Sequence, residues 1–413
     1  MRLPVIPFGS RVLKKQKPLL KGSDVRHLQQ ALKRLEVFNA RIDGVFGYET
    51  MQAVREFQRA YHIKQSGIVD DDEFEILKEL MRCGINKWRT IQRDYRHSGY
   101  SPVPIPKQLK ISWIRPIPDI IGLNCSADRL IVTTRREVLA IDLKSGERLW
   151  KSSELFPESS STIFEGHVIV PTGSLTILGF YSGKILKTLK QDNFILPAAA
   201  NKTQIYAPSS GTLYCFNQSG DMKWNYKTYG AYITSPAIGY DFVYFASYDR
   251  CIYCLDEKGI LCWKTKISDI IQIPPAIWDG KVFTISCDSW VSALNPLVGE
   301  IIWRKKIADE EFIMPAFHQD FMLLANYRGE VTALSFQRAE VIWVIDLPDA
   351  PTTLPVVCPN TFFIGTESGL MAYDIKTLDA KMHLEGKKIT AIVPGAMSLF
   401  AATQRELIKL SPE

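Results

Sequence analysis

The chain has 413 residues, 46% of them hydrophobic and 23% charged, which excludes wholesale disorder and leaves ample apolar surface for two or three domains, one of them large. The formal charge of +6 is small but uneven: residues 1–83 hold 15 Lys and Arg against 11 Asp and Glu, and residues 84–116 hold seven against one. Such a basic quarter favours an anionic surface such as cell-wall polymer, phospholipid or nucleic acid, although solvated side chains on a connector would look the same. Eight cysteines follow no framework spacing and read as buried free thiols; Cys251 and Cys254, three apart on a strand, face opposite ways. No run of 18 apolar residues occurs, and the start shows neither an apolar h-region nor a cleavage site, so neither a spanning helix nor an export signal is expected.

Taken in chain order, Val25, Leu28, Leu32 and Leu35 fall on one helical face, with Ser23 or Asp24 placed to cap its start. Ala53, Val54 and Phe57 supply a second apolar face, and Phe74, Leu77 and Leu80 a third, behind the acidic run Asp70, Asp71 and Asp72. The turns between them carry Asp43-Gly44-Val45-Phe46-Gly47 and Ser66-Gly67-Ile68-Val69-Asp70, where glycine permits positive φ. Residues 1–84 therefore read as a small all-α three-helix module with an N-terminal arm.

This pattern, with Gly22, Asp24-Val25, Leu28-Gln29, Asp43-Gly44, Phe46-Gly47, Thr50, Ala53-Val54, Phe57-Gln58 and Gly67 in place, resembles the peptidoglycan-binding domain attached to many bacterial wall enzymes. Three positions depart from that family: Glu36 after the first helix, His62 before Ile63, and Phe74 behind the acidic run. The resemblance implies binding of peptidoglycan. A sugar-peptide polymer needs hydrogen-bonding groups and an aromatic face on an exposed groove, and Arg41, Asp43, Tyr48, Thr50 and Gln58 are the candidates.

Residues 85–109 are polar and proline-rich, ending in Ser101-Pro102-Val103-Pro104-Ile105-Pro106, which suits neither a helix nor a central strand. The segment from Trp88 to Trp113, with its polar stretch from Asp94 to Tyr100 and a tryptophan at the start of a strand, resembles the lead-in before the first blade of quinoprotein-like propellers, so the second domain is taken as 85–413 with the lead-in at 85–109. Beyond it a unit first seen at residues 140–150 recurs in altered form, and tryptophans at 113, 150, 224, 263, 303 and 343 are spaced by 37, 74, 39, 40 and 40 residues. Repetition near forty residues, with an apolar strand, a turn, an alternating strand, a glycine turn and a strand beginning at the tryptophan in each unit, predicts an all-β propeller. The gap of 74 is two periods, its missing member being Lys187, and the last unit is marked by Met382. Counted this way the ring has eight blades in preference to seven, and residues 111–117 supply the fourth strand missing after residue 410, closing the ring.

The motif Ala-x-Asp-x-x-Ser/Thr-Gly-x-x-x-Trp resembles the repeat of propellers that bind pyrroloquinoline quinone. Dehydrogenases of that family use adjacent cysteines and a calcium-binding carboxylate set; no two cysteines are adjacent here, so no cofactor is expected and the chain looks like one of the family's scaffold members. No nucleophile elbow, phosphate loop, dinucleotide fingerprint or zinc spacing appears, so no catalytic residue and no metal site are assigned. Binding falls to loop tips on one propeller face, where Tyr248, Arg250, Trp290, Tyr327 and Arg328 are the candidates, with Tyr248 and Trp290 read at one repeat position. The expectation is a monomeric, non-catalytic scaffold of the bacterial envelope or spore, with peptidoglycan and an unidentified protein as partners and no nucleic acid. Two other readings stand beside it: a quinoprotein-like oxidoreductase, and a helical module that only caps the propeller. Without a legible signal, synthesis in a mother cell around a developing spore would bring the chain to the wall, as would an unconventional export route or a start upstream of Met1.

Overall fold

The structure is a computed structural model that describes residues 6–35, 37–38, 40–60, 65–70, 73–74, 77, 87–90, 92–201, 203–307, 310–395 and 397–413. Helix α1 (Ser23–Arg34) buries Val25, Leu28, Ala31 and Leu32, and helix α2 (Tyr48–Ala60) buries Ala53, Val54 and Phe57 against them. Of the third expected helix, residues 73, 74 and 77 carry helical backbone, with Phe74 and Leu77 in the same core; Leu80, Glu36, His62 and Cys83 lie outside the described residues. The cap of α1 departs from expectation. Gly22 occupies the N-cap without a side-chain bond, because Ser23 instead exchanges two 2.7 Å bonds with the backbone of Ile6 and Asp24 holds Arg11 at 2.7 Å. Both side chains therefore fix the N-terminal arm, and the Asp24 carboxylate still sits on the positive end of the helix.

Eight sheets follow, and they are the eight blades, spanning 120–152, 162–194, 199–227, 237–266, 276–306, 316–346, 356–383 and 389–412. The eighth is completed by Leu109–Pro116, which pairs antiparallel with Glu406–Pro412 in the register Ile114↔Ile408. This is the closure that the repeat count required, and it leaves the ring no unpaired blade. The seven-blade alternative fails because 162–194, where the tryptophan is missing, forms a sheet of its own.

The repeat motif has a physical role at the joints between blades. Trp150 lies against Gly183 of the next blade, where a Cβ would stand 2.4 Å from the ring, and its Nε1–H donates to the Phe180 carbonyl at 2.8 Å. Trp224 meets Gly259 and donates to Glu257, Trp263 meets Gly299 and donates to Pro296, and Trp113 meets Gly146 and donates to Lys144. These glycines have φ from +66 to +82°, a conformation that already disfavours a side chain. Lys187, standing where the indole is missing, lays its stem on Gly220 and donates from Nζ to the Ser219 carbonyl at 2.6 Å. Asp142 and Asp374 tie their turns by accepting two backbone N–H bonds each.

The lead-in is structural in a way its composition conceals. Lys87–Trp88 adds a strand inside the first blade, and the described residues of 89–105 then pass from blade to blade round the inner face of the ring. Backbone carbonyls of Arg89, Tyr95, Arg96, Ser98 and Gly99 accept from Ile163, Ile238, Ile277, Phe317 and Val357, which lie on the innermost strands of five different blades. Thr90, Gln92, His97, Ser98, Val103 and Ile105 are buried, so the segment fills the channel instead of linking two bodies. Its end also joins the helical module, because Val103 belongs to the module's core, and Met397, from the turn between the first two strands of the eighth blade, packs on it. Since strands alternate in direction within a blade, these turns lie at one end of the ring and the joins between blades at the other. The module sits at the turn end, which is the base.

Candidate functional site

In the module two buried glutamines organise the turns. Gln29 Oε1 accepts from the N–H groups of Asp43 and Gly44, and its Nε2 donates to Asp43 Oδ1, the Val45 carbonyl and Thr50 Oγ1. Gln58 repeats the arrangement one turn later: Oε1 accepts from Gly67 N, and Nε2 donates to Ser66 Oγ, the Ile68 carbonyl and Glu73 Oε1. Burial, with Asp70 beside it, raises the pKa of Glu73.

Of the five groups expected to meet the polymer, the structure therefore withdraws two. Thr50 is 1% exposed and Gln58 0% exposed, and both spend their hydrogen bonds inside the module, so neither can reach a ligand. Arg41, Asp43 and Tyr48 remain on the surface of one turn and the helix start that follows it. Tyr48 is 59% exposed, and Lys15 from the arm stands 5.1 Å from its ring centre, adding a cation that sequence reasoning did not place there. An exposed phenol with Lys15 over its ring, beside a turn that exposes Arg41 and Asp43, can stack on a sugar and hold carboxylates or amides.

At the other end, where blades join, the channel opens into a cavity of 580 Å³. Its walls combine aliphatic residues such as Leu196 and Leu354 with Ser159, Ser160, Thr353 and Thr390, and Arg135 and Glu158 supply its charges. A smaller cavity of 240 Å³ beside it shares Ile313, Tyr327 and Leu354. Tyr327 is the one of the five expected rim residues that lines these cavities. Tyr248 packs 5.3 Å from Tyr232 on the fourth blade, Arg250 is exposed beside it, and Arg328 pairs with Glu310. The repeat alignment of Tyr248 with Trp290 is corrected: Trp290 opens its strand as Cys251 does, so the equivalents of Tyr248 are Cys287 and Tyr327. Trp290 is half-buried beneath Arg304, whose guanidinium lies 4.5 Å from its ring.

The mouth residues were missed because they are chemically unremarkable singly, yet a signal exists. Pro197, Pro236, Pro275, Pro315 and Pro355 recur at intervals of 39, 39, 40 and 40, each just before an innermost strand, and Leu196, Pro274, Met314 and Leu354, immediately ahead of four of them, line the mouth. The mouth does not fit a quinone and its calcium ion, since among the described residues Glu158 is the sole carboxylate lining the larger cavity and no cysteine lines it. Among the described residues no three His, Cys, Asp or Glu side chains gather as a metal site. Most described thiols are buried as expected, with burial pushing Cys125 and Cys358 up to about 12, but Cys262 is exposed and Cys287 partly so. Cys251 and Cys254 do face opposite sides, in the cores on either side of the fourth blade.

The geometry defines the class: an eight-bladed β-propeller of quinoprotein-type repeats with a small helical module at its base. A family described as outer membrane protein assembly factor BamB matches residues 135–377 and 287–404, and the chain belongs to it; the peptidoglycan binding domain matches residues 21–77. The chain is similar to the N-acetylmuramoyl-L-alanine amidase CwlL of Bacillus licheniformis, 35% identical over 82 residues, which are 18% of this chain and 23% of that enzyme. It is 33% identical over 89 residues to the spore cortex-lytic enzyme of Halalkalibacterium halodurans, 21% of this chain and 27% of the enzyme. The chain thus spans about a quarter of the length of these curated relatives. Among solved structures, BamB from Moraxella catarrhalis superposes with a TM-score of 0.64 at 16% identity, covering 73% of this chain and 97% of that one. Quinohemoprotein alcohol dehydrogenase from Comamonas testosteroni gives 0.67 at 12% identity over 81% and 83%; both likenesses speak to fold alone. Among the described residues no helix is long and apolar enough to cross a membrane.

Proposed function

We propose that this chain is a non-catalytic scaffold of the cell wall or spore, which docks on peptidoglycan through its helical module and recruits a protein at the propeller's open mouth. The observation that carries this reading is polarity. The module, with its exposed Tyr48 platform, is built into the base through Val103 and Met397, while the 580 Å³ mouth and Tyr248, Arg250 and Tyr327 stand at the opposite end. A wall-bound module would hold that mouth away from the polymer, free to meet a partner. Support for the wall comes from the matched domain and from relatives that are an amidase and a cortex-lytic enzyme.

Co-sedimentation of the full chain with purified sacculi and with spore cortex tests the docking step. Pelleting that is lost in the Tyr48→Ala, Arg41→Glu double variant is the expected result; wild-type protein left in the supernatant rejects it. A structural role for the module is favoured by one specific observation, the sharing of Val103 and Met397, and it is compatible with wall binding because the Tyr48 surface is left open.

A further inference from the structure

The outermost strand of each blade is a free sheet edge, with one row of backbone groups facing out of the ring. Natural edges are guarded by charge, above all lysine. Seven of the eight here carry at least one Lys or Arg, from Lys151 in the first blade to Arg115 in the strand that closes the eighth. Val341–Asp346, the outer strand of the sixth blade, carries none. Where the fourth and fifth blades place Lys264 and Arg304 after the tryptophan, this strand places Val344, and where they place Lys266 and Lys306 it places Asp346. Val341, Ile342 and Val344 are 46%, 51% and 48% exposed, so the strand offers aliphatic side chains to solvent from its start to Val344.

A second observation concerns the end of the same strand. Asp346 lies directly opposite Glu330 in the sheet register, two like charges on neighbouring strands. Such a pair is destabilising unless something neutralises it. Among the described residues no Lys or Arg pairs with either carboxylate, and the one side chain bonded to them is Thr332, donating to Glu330 Oε1 at 3.5 Å. An unguarded aliphatic edge thus ends at an uncompensated acidic pair.

We propose that the outer edge of the sixth blade is a docking slot for an extended segment of a partner protein, which adds a strand to Val341–Asp346. That segment carries aliphatic side chains at alternate positions and a Lys or Arg at the end that lies beside Glu330 and Asp346. Backbone bonds to the edge supply affinity, the aliphatic side chains cover Ile342 and Val344, and the cation relieves the acidic pair. Charge complementarity selects this occupant over a second copy of the chain, since antiparallel pairing of the strand with itself brings no cation to either acid. The slot is separate from the channel mouth and does not depend on attachment to the wall.

The test is fluorescence anisotropy with the full chain and a labelled peptide, Lys-Arg-Val-Thr-Ile-Thr-Val-Arg-Lys, whose basic ends serve either strand direction. Saturable binding is expected, weakened at least about tenfold by Val344→Lys and by Asp346→Lys, and likewise for peptides with Glu at the ends or with Pro for the central Ile. Tyr48→Ala should leave it unchanged, which separates this slot from the wall reading. Since Val344 and Asp346 are exposed, both variants keep the fold, and circular dichroism verifies it. Absence of binding by the wild type, or equal binding by Val344→Lys, overturns the proposal. So does a concentration-dependent dimer in sedimentation velocity that Val344→Lys dissolves, because the occupant would then be a second copy.

Discussion

The helical module and the propeller face the same task, holding a glycine turn against its neighbour, and use opposite chemistry for it. In the module Gln29 and Gln58 reach from the helices and satisfy the N–H groups of the turns from inside. In the propeller an indole lies flat on the glycine of the next blade, with a single N–H bond fixing its edge. Size explains the difference. A small helical body buries too little apolar surface to hold a turn by contact, so directed hydrogen bonds do it; a blade offers a broad face on which an aromatic ring removes much area from water. The Lys187 joint shows that the latch is defined by shape and donor, because an alkyl stem and an ammonium perform both parts of the indole's role.

This contrast can be broken at several points. The largest loss is expected from Trp263→Ala, which empties the joint between the fourth and fifth blades and should cost about 3–5 kcal/mol in urea unfolding. A loss under about 1 kcal/mol would show that the indole is not a latch. Gln29→Leu should cost about 2–3 kcal/mol, since it strands the N–H groups of Asp43 and Gly44. Hydrogen exchange should locate that damage in the module and leave the propeller amides protected.

Acidification sharpens the comparison, because among the described residues the buried histidines belong to the propeller. His97 donates to the Pro275 carbonyl, His318 to Pro359 and His383 to Lys107, and burial lowers all three from the ordinary value of 6.5. Above pH 6.5 neither folded nor unfolded chain is protonated at these sites; below it the unfolded chain takes up protons that the folded one refuses. Stability should therefore be full above that pH and fall as pH drops through it. Calorimetric scans at pH 7.5 and 5 should show this fall in Tm, diminished in His97→Gln, whose amide can still donate. The smallest effect is expected for Lys187→Ala, at most about 1 kcal/mol, because the ammonium is partly solvated.

Much of the fold was legible because it repeats. The spacing of tryptophans with Lys187 and Met382 in their places gave eight outer strands, and each lies in an outer strand. The candidate site was legible only in part. Asp43 and Tyr48 are exposed as expected, whereas Thr50 and Gln58, polar and next to the same turns, point inward. Nothing local distinguishes them: an amide looks equally suited to bind sugar or to pin a turn until the chain it must satisfy is in place. The proline-rich lead-in misled for a related reason. Its backbone cannot join a regular sheet, yet its carbonyls can receive bonds from five blades at once, a possibility that exists only around a closed ring.

The sequence by itself determined the two architectures, the ring's closure and the turn chemistry, since each depends on residues within one repeat and period fixes the rest. Only the tertiary structure decided that the lead-in fills the channel, that the module is built into the base, and that Asp346 faces Glu330 on an unguarded edge. Those features come from backbone and side chains brought together across blades and across registers, where short-range pattern carries no information about which residue will stand opposite which.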